Sequence, residues 1–189
     1  MLKFTIFDSP KQFSKTRFIE AIQERVKFSQ GVDISLHSTK EQSYVIVEAN
    51  NKHIVGVAYL LKKVRKDIPE ELKDILGGNE ERELWECSSI YLDVSICSLA
   101  LGIVPLGRIL AMFYQDIYEK FVEFGVKRNL NFISIKLLPE IYDLTKTIGG
   151  WPYVVGLSPQ HSSDGLFHGI LPLSGSRYEF YRSALKGSP

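Results

Sequence analysis

Cysteine is nearly absent from the sequence: Cys87 and Cys97 are the two present, and neither has a second cysteine beside it. That fits a reducing compartment better than a disulfide framework, so a cytoplasmic location is expected. Metal-ligand spacing is also missing. His37, His53, His161 and His168 form no His-x-x-x-His pair, and no metal is expected. No apolar run reaches the roughly 18 residues that a membrane-spanning helix needs, and the opening MLKFTIFDSP is too short and strand-like for the apolar core of a secretory signal. Charge is balanced, 23 basic residues against 22 acidic for a net charge of +1, so the chain as a whole offers nothing to attract nucleic acid. Linkers, repeats and low-complexity tracts are lacking, and 189 residues suit a single domain spanning 1–189.

What is there is the composition of an ordinary globular core, 44% hydrophobic and 24% charged. The order of local patterns says more. Leu2 to Phe7 alternates as a strand, and Asp8, Ser9 and Pro10 then cap a helical stretch from about Lys11 to Ser29, with Phe18, Ile22 and Val26 four apart. Tyr44 to Ala49 and His53 to Leu61 are β-branched runs around Asn50, Asn51 and Lys52, a hairpin signal because Asn tolerates positive φ. The charged segment Lys62 to Arg82 reads as an exposed helix, its Lys62, Lys63, Arg65 and Lys66 balanced by Asp67, Glu70, Glu71 and Asp74. A strand over Glu83 to Asp93 follows, then a long helix from about Leu106 to Lys127, then a strand over Phe132 to Leu137. A short helix opens at Pro139 and Glu140 and stops at Gly149 and Gly150, and two strands, Tyr153 to Leu157 and Leu166 to Leu173, close the chain. This order predicts an α/β (α+β) fold in which a mixed, mostly antiparallel, twisted sheet carries helices on both faces.

Glu86 breaks the pattern of its strand. In ELWECSSIYLD it sits among Trp85, Cys87, Ile90 and Leu92, and an ionised carboxylate in such company is costly unless paired, hydrogen-bonded or neutralised. It is either half of an ion pair at a sheet surface or a general base whose proton affinity burial has raised. Cys87 reads as core filling, since a buried thiol lacks the low pKa and access that a nucleophile needs.

Three stretches carry a family resemblance. WECSSIYLD, HIVGVAYLL and GGWPYVVGLSPQHSSDGLFHGILPLS resemble segments of the acyl-homoserine-lactone (autoinducer) synthases, members of the GCN5-related N-acyltransferase (GNAT) superfamily. The matching segments are the W-E-x-S-R strand, the hairpin strand ending in an Arg-Leu pair, and the closing G-W-P, L-G-x-P and G-x-L-P run. The resemblance covers nearly the whole chain and implies a GNAT-like acyltransferase fold. It implies that Glu86 is the general base that deprotonates the methionyl amine of S-adenosylmethionine, directly or through water, for attack on an acyl thioester. Strand amides around Ser88, Ser89 and Ile90 would then polarise the thioester carbonyl. Arg25, Phe28 and Tyr59 fall on the amine side of the implied site. Met112, Phe113, Ser134, Lys136 and Trp151 fall along an acyl tunnel between the long helix and the central strands, which Tyr114, Ile117, Phe132, Ile135 and Tyr153 would help to line. The chain departs from the family at Ser89 and Tyr59, where Arg is usual, at Glu41, Gln42 and Ser43, where an acidic pair is reduced, and at Val32, where a Trp follows Gly. All of these departures fall on the S-adenosylmethionine pocket and its supporting ion pairs.

The resemblance implies an acyl carrier protein or coenzyme A thioester as donor, with S-adenosylmethionine as a possible acceptor, and no tightly bound cofactor is expected. Coenzyme A-dependent members of the superfamily carry Arg/Gln-x-x-Gly-x-Gly/Ala at the start of the long helix, whose amides hold the pyrophosphate. LALGIVPLGRIL does not meet that pattern. Carrier protein is acidic, and Arg108, Lys120, Lys127, Arg128 and Lys146 would form a local docking patch for it. The superfamily's general-acid Tyr has Thr145 in its place, with Tyr142 one turn earlier. Three functions follow: an N-acyltransferase joining an acyl thioester to a small amine, a full acyl-homoserine-lactone synthase with a rebuilt S-adenosylmethionine site, or a non-catalytic module that binds acyl thioesters or carrier protein.

Overall fold

The computed structural model describes residues 1–8, 24, 41–50, 53–63, 84–152, 155–157, 160 and 162–173. The helix expected over Lys11 to Ser29, with Arg25 and Phe28, lies outside them, as does residue 64 to Arg82 of the charged segment. The strands are β1 (Leu2–Phe7), β2 (Gln42–Ala49), β3 (His53–Lys63), β4 (Leu84–Leu92), β5 (Phe132–Leu137), β6 (Val155–Leu157) and β7 (Phe167–Pro172). They form one sheet in the order β1-β2-β3-β4-β5-β7-β6. Every neighbouring pair is antiparallel except β4 and β5, which run parallel. The helices among the described residues are α1 (Val94–Leu101), α2 (Leu106–Arg128) and α3 (Pro139–Thr147).

Local chemistry accounts for the joints. Asn50 turns β2 into β3 with φ 53°, a left-handed conformation that Asn adopts at little cost. Asp93 ends β4 and caps α1, its side chain accepting from the Ile96 N–H at 2.9 Å. The sequence reading had no α1, and its eight residues carry only that cap as a signal. α2 stops at Asn129, φ 56°, whose N–H reaches back to the Gly125 and Val126 carbonyls.

Strand alternation divides the sheet into two faces. Val45, Val47, Ala58, Leu60, Trp85, Cys87, Ile90, Ile133 and Ile135 meet α2 through Ile109, Phe113, Ile117, Phe121 and Phe124 in the main core. Tyr44, Ile46, Val57 and Tyr59 form a separate cluster on the opposite face, with Leu61 and Tyr91 packed against it. α2 lies so close to β3 that a Cβ on Gly56 would stand 2.8 Å from the Phe113 ring and 2.9 Å from the Tyr91 carbonyl oxygen. Trp151 pins the segment after α3 to the long helix, its indole N–H donating to the Tyr114 carbonyl at 2.8 Å.

Candidate active site

β4 and β5 pair only at Glu86 with Ser134 and at Cys87 with Ile135. Both strands run on beyond that point, to Leu92 and Leu137, without pairing. On its other edge β4 is bulged: Tyr59 faces Ser89 and Leu60 faces Cys87, which leaves Ser88 as the extra residue. Between the separating strands lies a small cleft, partly open to solvent, with a cavity volume of about 10 Å³. Ser88, Ser89 and Ile90 form one wall, Lys136, Leu137 and Leu138 the other, with Ile141 of α3 and Leu166 completing it. The Ser88 hydroxyl is buried without a hydrogen-bond partner among the described residues.

Glu86 is one of the two β4 residues paired with β5, next to the Cys87 pair after which the strands part, and is 7% exposed. Leu61 is its cross-strand partner, so Lys63, two residues on, is its diagonal neighbour on the same face. Lys63 Nζ lies 3.1 Å from Glu86 Oε1, yet that oxygen has no hydrogen-bond partner among the described residues. The distance is that of an ion pair and the angle is outside hydrogen-bonding range. Of the two settings weighed from sequence, the ion-paired one has its cation in Lys63: an ammonium on β3 offsets the cost of burying the carboxylate. The two positions that resemble lost arginines, Tyr59 and Ser89, are themselves partners across β3 and β4. Tyr59 packs at 5.3 Å on Tyr44, whose hydroxyl donates to Gln42 Oε1 at 2.7 Å. Burial pushes the Tyr59 phenol up to about 12, and burial with the neighbouring Tyr59 raises Tyr44 further.

The remaining expected residues distribute unevenly. Ser134 is buried and donates to the Trp85 carbonyl at 3.2 Å, tying β5 to β4 at the closed end of the gap. Phe113 and Trp151 are buried in the main core, where Trp151 packs on Tyr114, Tyr118 and Phe121. Met112 is solvent-exposed on α2, so it lines no interior tunnel: the helix turns its 109, 113 and 117 row inward and leaves 112 outside. Tyr153 lies outside the described residues. Of the docking cations, Lys120 and Lys127 share Glu123 at 2.7 and 2.8 Å. Arg128 pairs with Asp8 at 3.1 Å and lies over Trp85 and Phe124. Arg108 and Lys146 have no ion pair among the described residues. Tyr142 stacks on Phe167 with ring centroids 3.7 Å apart, and Thr145 donates to the Tyr142 carbonyl at 2.9 Å. Cys87 is fully buried, and burial above all pushes its thiol up out of the reactive range.

Sequence reasoning missed Asp164 and His168. Lys136 Nζ is 2.7 Å from Asp164 Oδ2, and His168 Nε2 is 3.0 and 3.1 Å from the two oxygens of that carboxylate. Ser162 Oγ and the Leu166 N–H donate to it as well. Burial opposes the Asp164 charge, but the hydrogen bonds from Lys136, Ser162, His168 and Leu166 outweigh it and hold the carboxyl well below the usual carboxylate range. The available signal was register: Lys136 and His168 face each other across β5 and β7. Among the described residues no group of three His, Cys, Asp or Glu could hold a metal ion, and no single helix is long and apolar enough to cross a membrane.

Parallel strands that part beside a bulge, with the long helix beneath, define the GNAT-like acyltransferase fold, and comparison with solved structures agrees. The chain is similar to FeeM, an N-acyl amino acid synthase from uncultured soil microbes, at TM-score 0.60 and 12% identity, covering 92% of each chain. It is similar to the AHL synthase LasI at TM-score 0.61 and 11% identity, over 97% of this chain and 95% of that one. TofI, in a ternary complex with an inhibitor and MTA, follows at TM-score 0.51 and 15% identity, over 95% and 96%. No protein-family model and no curated protein matches in sequence. At such identities the likeness is one of fold alone.

Proposed function

We propose that the protein is an N-acyltransferase that forms an amide between an acyl thioester and a small amine. The observation that carries this reading is the gap between β4 and β5, open beside the Ser88 bulge and closed at Glu86. An acyl thioester laid in that gap has its carbonyl beside the β4 edge, which takes no ladder bonds from β5 beyond Cys87. Amides there stabilise the oxyanion as it forms. Glu86 accepts a proton from the amine nitrogen, which attacks the carbonyl carbon. The activities of FeeM and LasI support an acyl acceptor that is an amino acid or a related small amine.

A second reading, acyl-homoserine-lactone synthesis from S-adenosylmethionine, draws support from Lys63. It supplies a cation beside Glu86 that Ser89 and Tyr59 do not. Arg25 and Phe28, assigned to the amine pocket by resemblance, lie outside the described residues.

The test is to incubate the purified protein with acyl carrier protein or coenzyme A thioesters and a pool of amino acids and S-adenosylmethionine. Thiol release matched by a new amide is the expected result. Thiol release without an amide, which is hydrolysis of the thioester, overturns the reading, and no release from any thioester overturns it and leaves a binding module.

A further inference from the structure

The transfer also needs somewhere to put the charge that leaves. When the tetrahedral adduct collapses, the C–S bond breaks and its electron pair departs on sulfur. The family position for a proton donor is filled by Thr145, whose hydroxyl is committed to the Tyr142 carbonyl. Tyr142 is stacked on Phe167 and is not on the cavity wall. Among the described residues on that wall, Lys136 alone is charged, and it stands across the gap from Ser88, Ser89 and Ile90.

Lys136 is also held in place. An ammonium has three donors; Asp164 takes one at 2.7 Å, which leaves two. Asp164 is itself fixed from several directions, by His168 Nε2, by Ser162 Oγ and by the Leu166 N–H. His168 is anchored on β7 opposite Lys136, and its side chain is only 12% exposed. A flexible lysine is thereby given one geometry, at the wall of the same cavity that the bulge faces.

We propose that Lys136 is a catalytic residue of the acyl transfer, its ammonium receiving the thiolate as the C–S bond breaks, with Asp164 the residue that positions it. This rests on the acyl-transfer reading. The nitrogen–carbon bond forms as one N–H proton passes to Glu86; the sulfur leaves as a thiolate paired with Lys136. It takes up a proton after release, when Glu86 returns its own to solvent. No proton need leave Lys136, because its ammonium stabilises the departing thiolate by charge.

The dependence on leaving-group basicity tests the proposal. Purified wild type and variants are given octanoyl thioesters of pantetheine and of thiophenol, with the same amine pool, and thioester loss and amide are followed by mass spectrometry. Lys136→Met should slow the pantetheine ester on the order of 100-fold, the scale of losing one charge-stabilising donor, and the thiophenol ester, whose thiolate needs little help, by less than about 3-fold. Lys136→Arg should restore most of the pantetheine rate, and Asp164→Asn should give a smaller loss with the same preference. Equal losses with both esters, or none with pantetheine, overturn the role of Lys136 while leaving acyl transfer standing. A wild type inert toward both esters overturns acyl transfer and this proposal together. If Lys136→Met does not fold, the Arg and Asp164→Asn variants carry the same comparison.

Discussion

Two acidic residues on one face of the sheet are handled in different ways. Glu86 is buried with the Lys63 ammonium beside it and one oxygen that has no hydrogen-bond partner among the described residues. Asp164 has every bond it can use, from Lys136, Ser162, His168 and the Leu166 N–H. Its folded pKa lies below the ordinary value of about 3.9, so on acidification the unfolded chain binds the proton first. The stabilisation is whole above about pH 4 and is lost as the pH falls below that, toward the depressed folded value. Asp164→Asn should therefore flatten the decline of the urea midpoint below pH 4, and an unchanged slope would contradict the network. Glu86 was legible in the sequence because a carboxylate in an apolar run is conspicuous. Lys63 was not, because β3 extends two residues past the expected Leu61 before reaching it.

At the scale of elements, the site depends on how closely α2 approaches the sheet. At Gly56 that approach is tight, against the Phe113 ring of α2 and the Tyr91 carbonyl oxygen of the neighbouring strand. Gly56→Ala should cost about 1–3 kcal/mol by overpacking, read from chemical denaturation; a change below about 0.5 kcal/mol, ordinary for a surface site, would mean that the two elements have room to separate. The limits of β1 and β5 and the start of α2 were readable, since alternation and a four-residue apolar spacing run to their ends. α1 was not, because eight residues, VSICSLAL, are too few for a period to show. The gap itself was also invisible. Its existence depends on where two parallel strands stop pairing, a non-local fact that neither strand's sequence encodes.

Over the whole molecule, the near-zero net charge conceals local arrangement. The basic patch expected for carrier-protein docking is partly spent on Glu123 and Asp8, with Arg108 and Lys146 left unpaired among the described residues. The large exposed apolar residues Leu99, Ile103, Leu106 and Met112 lie in α1, in α2 and in the loop that joins them. The fold and the site together make one central claim, that Glu86 serves chemistry in a cavity built by the parting of β4 and β5. The most direct measurement is mass spectrometry of small molecules from cells expressing the protein and from cells expressing Glu86→Gln, with folding of both checked by circular dichroism. The account predicts an acylated amine made by the wild type and lost in the variant, its head group identifying the acceptor. The same metabolites from two folded proteins would contradict it.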